Sequence, residues 1–151
     1  MNFDFVTQAA KRMIKHGDID LVKDDITVHL IYEPYKHDAR IAFIADETVK
    51  SLSDINHHLP TEGILLKGKT YKDGVFDAAD IKFPIIGSDK HNQEIVAIAL
   101  VHVKTDTIIA IIRKPFLLNH FAFNGGDVIV TWDNSANKIF NIKKDLEEIV
   151  L

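Results

Sequence analysis

The strongest hydrophobic pattern in the chain lies between Glu94 and Arg113, EIVAIALVHVKTDTIIAIIR. Two apolar runs, Ile95–Val103 and Thr107–Ile112, flank the polar Lys104-Thr105-Asp106. Valine and isoleucine dominate both runs. Their β-branched side chains lose little freedom in a strand but crowd a helix. A short polar connection between two such runs predicts a β-hairpin. The first run is apolar on both faces, with Ile95, Ala97, Ala99, Val101 and Val103 on one and Val96, Ile98 and Leu100 on the other. Such a strand requires cover on both sides, which places the hairpin at the centre of a sheet. Val128–Trp132 and Val75–Phe83 are the expected companions.

The remaining pattern supplies shorter elements. Phe5, Ala9, Met13 and Ile14 recur at helical spacing, predicting an amphipathic helix over about residues 4–15, capped by Asp4 or Thr7 and stopped at His16-Gly17. Ile26–Tyr32 (ITVHLIY) alternates as a strand that Pro34 ends. Residues 36–60 read least clearly: Ala39–Ala45 as a short strand, Asp46–Ile55 as a short helix capped by Asp46 or Ser51, the whole longer than a compact domain usually needs. Gly63–Tyr71 and Val75–Phe83 form two strands around Lys72-Asp73-Gly74, whose Asp-Gly pair predicts a tight hairpin turn. Phe116–Phe123 is a mixed apolar segment expected against a sheet edge. Asn124-Gly125-Gly126-Asp127 is a turn, followed by the strands Val128–Trp132 and Lys138–Ile142. Lys143–Leu151 is charged and then apolar, read as a helical turn or a tail that docks elsewhere. About seven short strands punctuated by turns predict a mainly β fold: an antiparallel β-sandwich or jelly-roll-like barrel with a short N-terminal α-helix.

Composition narrows the function classes. At 151 residues the chain reads as one β-rich domain over 1–151, with an N-terminal helix within 1–16 and a C-terminal extension over 143–151. Folding at this size buries about 68–70% of the unfolded surface, enough for a core without disulfides. A net charge of −4 without a Lys/Arg-rich run argues against nucleic acid as a partner. The absence of cysteine excludes disulfide frameworks, thiolate metal sites and thiol catalysis, and suits a reducing cytoplasm. The N-terminus lacks a signal-peptide pattern, and no apolar run reaches about 18 residues, so no membrane span is expected.

Candidate chemistry is sparse. The chain has eight histidines, among them His57-His58, with His37, His91, His102 and His120 as conceivable co-ligands. Adjacent histidines point apart and the others fall in separate segments, so solvated loop histidines are the better reading and no metal or cofactor is expected. His29 and His102 lie within strands, where a hydrogen-bonded sheet histidine is the usual case. The pairs Asp18/Asp20, Asp24/Asp25 and Asp77/Asp80 do not fit a calcium loop, and Asp77 and Asp80 more often bind turn amides. No nucleophile, base and orienter can be assembled by spacing alone, so no catalytic residue is assigned and an enzyme is not expected. Trp132 reads as a core anchor rather than a sugar platform.

Three stretches, in order, resemble a family of tailed-bacteriophage virion structural proteins of the head decoration or cement type. In Ala10–Leu30 the family shows a short helix, Gly-x-Ile-Asp-Leu, a polar turn and an Ile-x-Val-x-Leu strand; here the sequence is AKRMIKHGDIDLVKDDITVHL. Gly74–Phe83, GVFDAADIKF, is similar to the family's Phe-Asp-Ala-x-Asp segment. Ala97–Ile112 and Gly126–Phe140 match its apolar hairpin, Trp strand and closing Gly-Ile-Phe, here Ile129-Val130-Thr131-Trp132 and Lys138-Ile139-Phe140. The resemblance covers about residues 9–142. Lys138 stands where a glycine is common, and the hairpin turn lacks the family's Asp-x-Gly.

The resemblance implies a non-enzymatic protein that binds and stabilises the major capsid protein lattice and neighbouring copies of itself, on the capsid surface of a virion assembled in the host bacterial cytoplasm. It brings no catalytic residues with it. The expected contact elements are the segment 1–15, the connection 36–60 and the tail 143–151, with Phe3, Phe5, Tyr35, Phe43, Leu146, Ile149, Val150 and Leu151 as partner-binding residues. An apolar cluster such as the last four marks an interface when exposed. Removing 143–151 is expected to leave a folded domain. Two other readings stand beside this one: a tail or neck virion component, and a carbohydrate-binding β-sandwich module stacking sugars on Trp132, Tyr35 and Tyr71.

Overall fold

The computed structural model describes residues 6–32, 63–83, 95–113, 121–124, 127–130, 132 and 138–150. Within them the chain is mainly β, with antiparallel sheets and two short helices. The elements run α1 (Gln8–His16), β1 (Ile26–Tyr32), β2 (Ile64–Leu65), β3 (Thr70–Lys72), β4 (Val75–Asp77), β5 (Ile81–Phe83), β6 (Ile95–His102), β7 (Thr107–Arg113), β8 (Phe121–Asn124), β9 (Asp127–Val130), β10 (Phe140–Asn141) and α2 (Lys143–Glu148). The expected segments Ala39–Ala45 and Asp46–Ile55 lie outside the described residues.

The strands form three sheets, ordered β2-β1-β6-β7, β10-β4-β3 and β5-β9-β8. The predicted hairpin is β6–β7, and β6 is an inner strand. Its neighbour is β1, not Val128–Trp132 or Val75–Phe83 as the pattern suggested. Length explains the difference, because β6 has eight residues and β1 seven, against three in β4 and four in β9. Of β1, β4 and β9, only β1 can pair along nearly all of β6, from Ile26 opposite His102 to Tyr32 opposite Ile95.

Cross-strand rows show how this sheet is filled. Leu30, Ile98 and Ile112 form one row, Val28, Leu100 and Ala110 the next, and all belong to the main apolar core. Ile26, His102 and Thr107 close that face. On the other face His29, Ala99 and Ile111 form a row, with Thr27, Val101 and Ile108 beside it. Ala99, Val101, Ile108 and Ile111 are also buried, so β6 is covered on both sides as its sequence requires.

The expected strands Gly63–Tyr71 and Val75–Phe83 are each split in two. The first breaks around Gly68 (φ 64°), with the Leu66 N–H bonded to Ile26 O at 2.8 Å. The second leaves its sheet at Ala79, whose N–H reaches Lys67 O at 2.8 Å, and re-enters another sheet as β5. Between β3 and β4, Lys72 pairs with Val75 and leaves Asp73 (φ 52°) and Gly74 (φ 81°) as the loop. Two consecutive positive φ values make this the tight hairpin turn that Asp-Gly predicts. Among the described residues the sheets do not close into a barrel. The outer side of β7 is met instead by Val6, which bridges Ala110.

Candidate functional site

The two ends of the described chain meet at one place. Thr7 is the N-cap of α1: its Oγ1 accepts the Ala10 N–H at 3.2 Å and donates to Ile108 O at 2.7 Å. Its N–H donates to Ile109 O at 2.9 Å. Two successive β7 carbonyls reach one residue because the β6–β7 register shifts there, with Leu100 opposite Ala110 and Val101 opposite Ile108. A bulge of this kind turns neighbouring carbonyls to one side. Gly17 (φ 95°) ends the helix, its N–H closing on Met13 and Ile14 carbonyls. Ala10 sits fully in the core with Met13 and Ile14 against it, so the buried stripe is displaced by one position from the Ala9 that the spacing suggested.

Lys11 is buried at 5% exposure, and its Nζ lies 3.0 Å from Asp145 Oδ2 of α2. Lys15 Nζ donates to Leu146 O and, at 2.7 Å, to Ile149 O. A cation at these carbonyls satisfies groups that a helix C-terminus leaves open and complements its dipole. At the other end of α2, Asn141 Oδ1 accepts the Lys143 N–H at 3.1 Å. The Ile142 N–H is bonded to Gly74 O at 2.9 Å, and a Cβ on Gly74 would come within 2.4 Å of the Lys143 backbone. Ile142 is buried and Leu146 packs against the core. The segment expected to be a detachable extension is therefore, through Leu146, part of the fold. Ile149 is half-buried and Val150 is 95% exposed. Phe3, Phe5, Tyr35, Phe43 and Leu151 lie outside the described residues.

A second polar constellation lies at the far end of β6. His102 is fully buried. Its Nε2 is 2.8 Å from Asp24 Oδ2 and its Nδ1 2.7 Å from Thr105 Oγ1. Thr105 Oγ1 is 2.8 Å from Thr107 Oγ1, and Thr107 Oγ1 donates to Met13 Sδ at 3.7 Å. Asp24 Oδ2 also accepts the Asp20 N–H at 2.9 Å, and Asp20 Oδ1 takes the Val22 and Lys23 N–H groups, each at 3.0 Å. The Asp20 N–H first, and then the His102 side chain, hold the Asp24 carboxyl below the ordinary aspartate range. The Lys23 and Val22 amides lower Asp20 in the same way. Asp24 and His102 are far apart in sequence, so spacing could not join them. The sequence offered a lone histidine on an apolar strand and, separately, the Asp24/Asp25 pair.

The other candidates take structural places. His29 is buried, with its Nε2 2.9 Å from Thr27 Oγ1. Asp80 Oδ1 accepts the Trp132 N–H at 3.1 Å, the amide-binding role expected for such a carboxylate. Trp132 is 4% exposed and its Nε1 donates to Ala79 O at 3.0 Å, leaving no face on which a sugar could stack. Among the described residues no three His, Cys, Asp or Glu side chains come together as a metal site. His37, His57, His58, His91 and His120 lie outside those residues. No helix of the described structure is long and apolar enough to cross a membrane. No family model, curated protein or solved structure matches the chain.

Proposed function

We propose that this chain is a non-enzymatic virion structural protein of tailed phage, of the capsid decoration type, binding the major capsid protein lattice on the particle surface. The observation that carries this reading is the backbone at Lys138, which has φ 52° at the position where the resembled family commonly has glycine. A non-glycine residue pays a steric penalty there, so a glycine is what the conformation favours. Asp106, in the hairpin turn where the family has Asp-x-Gly, likewise has φ 54°. The two departures from the family pattern thus fall on backbone conformations that suit the family residue.

On this reading the junction of α1 with α2 is the proposed contact surface. It is fastened to the sheet by Thr7 and to itself by Lys11–Asp145, and it presents Val150 to solvent. A sandwich arrangement of the sheets belongs to the same proposal. Electron cryomicroscopy of purified virions containing the protein tests it: density for this fold on the capsid exterior is expected, and density confined to the tail or neck would move the assignment there. Val150→Glu should weaken particle binding without changing the unfolding midpoint, and undiminished binding would remove Val150 from the interface.

A further inference from the structure

We propose that α2 is exchanged between copies of this chain: in a reciprocal dimer the 143–150 segment of each copy docks on α1 of the other, re-forming the Lys11 and Lys15 contacts across the pair. The sequence of α2 does not sustain a helix on its own. It has six residues, well below the roughly 12–15 at which an isolated helix is even marginal, and Ile142 gives it no side-chain cap. Its last turn carries Glu147 and Glu148 and no base, the reverse of what the helix dipole favours. The missing cation is Lys15 of α1, which donates to Leu146 O and Ile149 O. In the first turn, Lys11 of α1 holds Asp145 at 3.0 Å. None of the six residues is buried, and Leu146 is their contribution to the core. What makes this segment a helix is therefore α1.

These bonds are indifferent to which copy supplies α1. That helix carries Lys11, Arg12 and Lys15 and no acidic residue, so charge complementarity selects the acidic end of an α2 and rejects a second α1. The hinge is short, because Ile142 alone separates β10 from α2. Short hinges favour exchange, since folding an element back over its own domain leaves such a connection little freedom. The rest of the chain keeps its shape. Ile142 is buried with its N–H on Gly74 O, so the swing begins at Lys143, beside Gly74. An exchanged pair thus preserves the bonds on both sides of the hinge. In dilute solution the closed chain wins, because its own α2 has the higher effective concentration; crowding of copies reverses the balance. Copies brought together on a particle, as in the virion reading, would meet at this junction. The exchange is tested in solution, so its failure leaves that reading standing.

Lys11→Glu and Asp145→Lys each place like charges at the junction. In a one-to-one mixture the exchanged heterodimer satisfies both junctions, one as the native Lys11–Asp145 pair and the other with its charges reversed. Light scattering on gel-filtered full-length chains should give the mass of one chain for each variant and of two chains for the mixture. A mixture that stays at the mass of one chain would overturn the proposal. A second readout leaves both charges in place. A nitroxide on Glu148→Cys, an exposed position in a chain without cysteine, is mixed with nitrogen-15-labelled wild-type chain at millimolar concentration. Amide signals of α1 in the labelled chain should lose intensity, most of all from Lys11 to Lys15, and the loss should grow with total concentration. Unchanged α1 signals would sink the exchange even where the charge variants fail to fold.

Discussion

Lys11 Nζ and Asp145 Oδ2 are 3.0 Å apart, joining the first helix to the last, with the lysine side chain 6% and the carboxylate side chain 37% exposed. The asymmetry decides the energetics. Lys11 has been withdrawn from water, whereas Asp145 keeps part of its hydration. Removing the acid strands a buried cation, while removing the base leaves a carboxylate that water can still reach.

Asp145→Ala is therefore expected to destabilise the chain by about 1–2 kcal/mol. That is less than the ~3–5 kcal/mol of a fully buried pair, because the exposed side is screened. Lys11→Met in the Asp145→Ala background should recover most of the loss by replacing the stranded charge with apolar volume. Urea midpoints of the four species in a double-mutant cycle measure this, and equal costs for both single variants would contradict it. Deleting 143–151 removes Asp145 together with the packing of Leu146, so the folded domain expected to remain should have a lowered unfolding midpoint.

Gly74 and Gly17 provide a matched pair. Both have positive φ, 81° and 95°, but a Cβ on Gly74 would meet the Lys143 backbone at 2.4 Å whereas one on Gly17 meets nothing within 4 Å. Gly17→Ala should cost only the left-handed penalty, about 1–2 kcal/mol. Gly74→Ala adds a backbone clash worth about 1–3 kcal/mol. Thermal or urea unfolding should rank the two in that order, with proteolysis near 143–150 increased only by the Gly74 variant.

Lys138→Gly should stabilise the protein. Relief of the left-handed strain, about 1–2 kcal/mol, is set against the entropic cost of glycine, about 0.5–1 kcal/mol, leaving a net gain of about 0–1.5 kcal/mol. Asp106→Gly should gain less, since Asp tolerates this region better than Lys. A fall in urea midpoint for Lys138→Gly would remove the observation on which the virion reading leans.

Acid sensitivity should trace to the 18–25 segment. The carboxyls of Asp20 and Asp24 are both held below the ordinary value by backbone N–H donors. A carboxyl whose folded value is depressed contributes stability that is complete above its unfolded value, about 3.9, and is lost as the pH falls through the folded one. Unfolding midpoints measured from neutral to acid pH should fall less steeply below about pH 4 in Asp24→Asn than in the wild type. Parallel curves would show that Asp24 does not contribute.

Local pattern carried much of the described architecture. The double-sided apolar run of β6, the Thr7 cap, the Gly17 stop and the Asp73-Gly74 turn were all legible, because each depends on neighbours within a few residues. Reading Val75–Phe83 as one strand failed at Ala78-Ala79-Asp80. Nothing in those side chains announces a change of sheet, and the break is held by Trp132 and Lys67 from elsewhere in the chain.

The sequence by itself determined a β-rich chain with an amphipathic N-terminal helix and a strand needing cover on both faces, since side-chain period and turn chemistry act over short range. Only the tertiary structure decided that β1 pairs with β6, that a buried Lys11 requires Asp145, and that Asp24, His102 and Thr105 form one hydrogen-bonded chain. Those outcomes depend on which long-range surfaces match in length, volume and charge, and the partners are separated by up to nearly the whole chain.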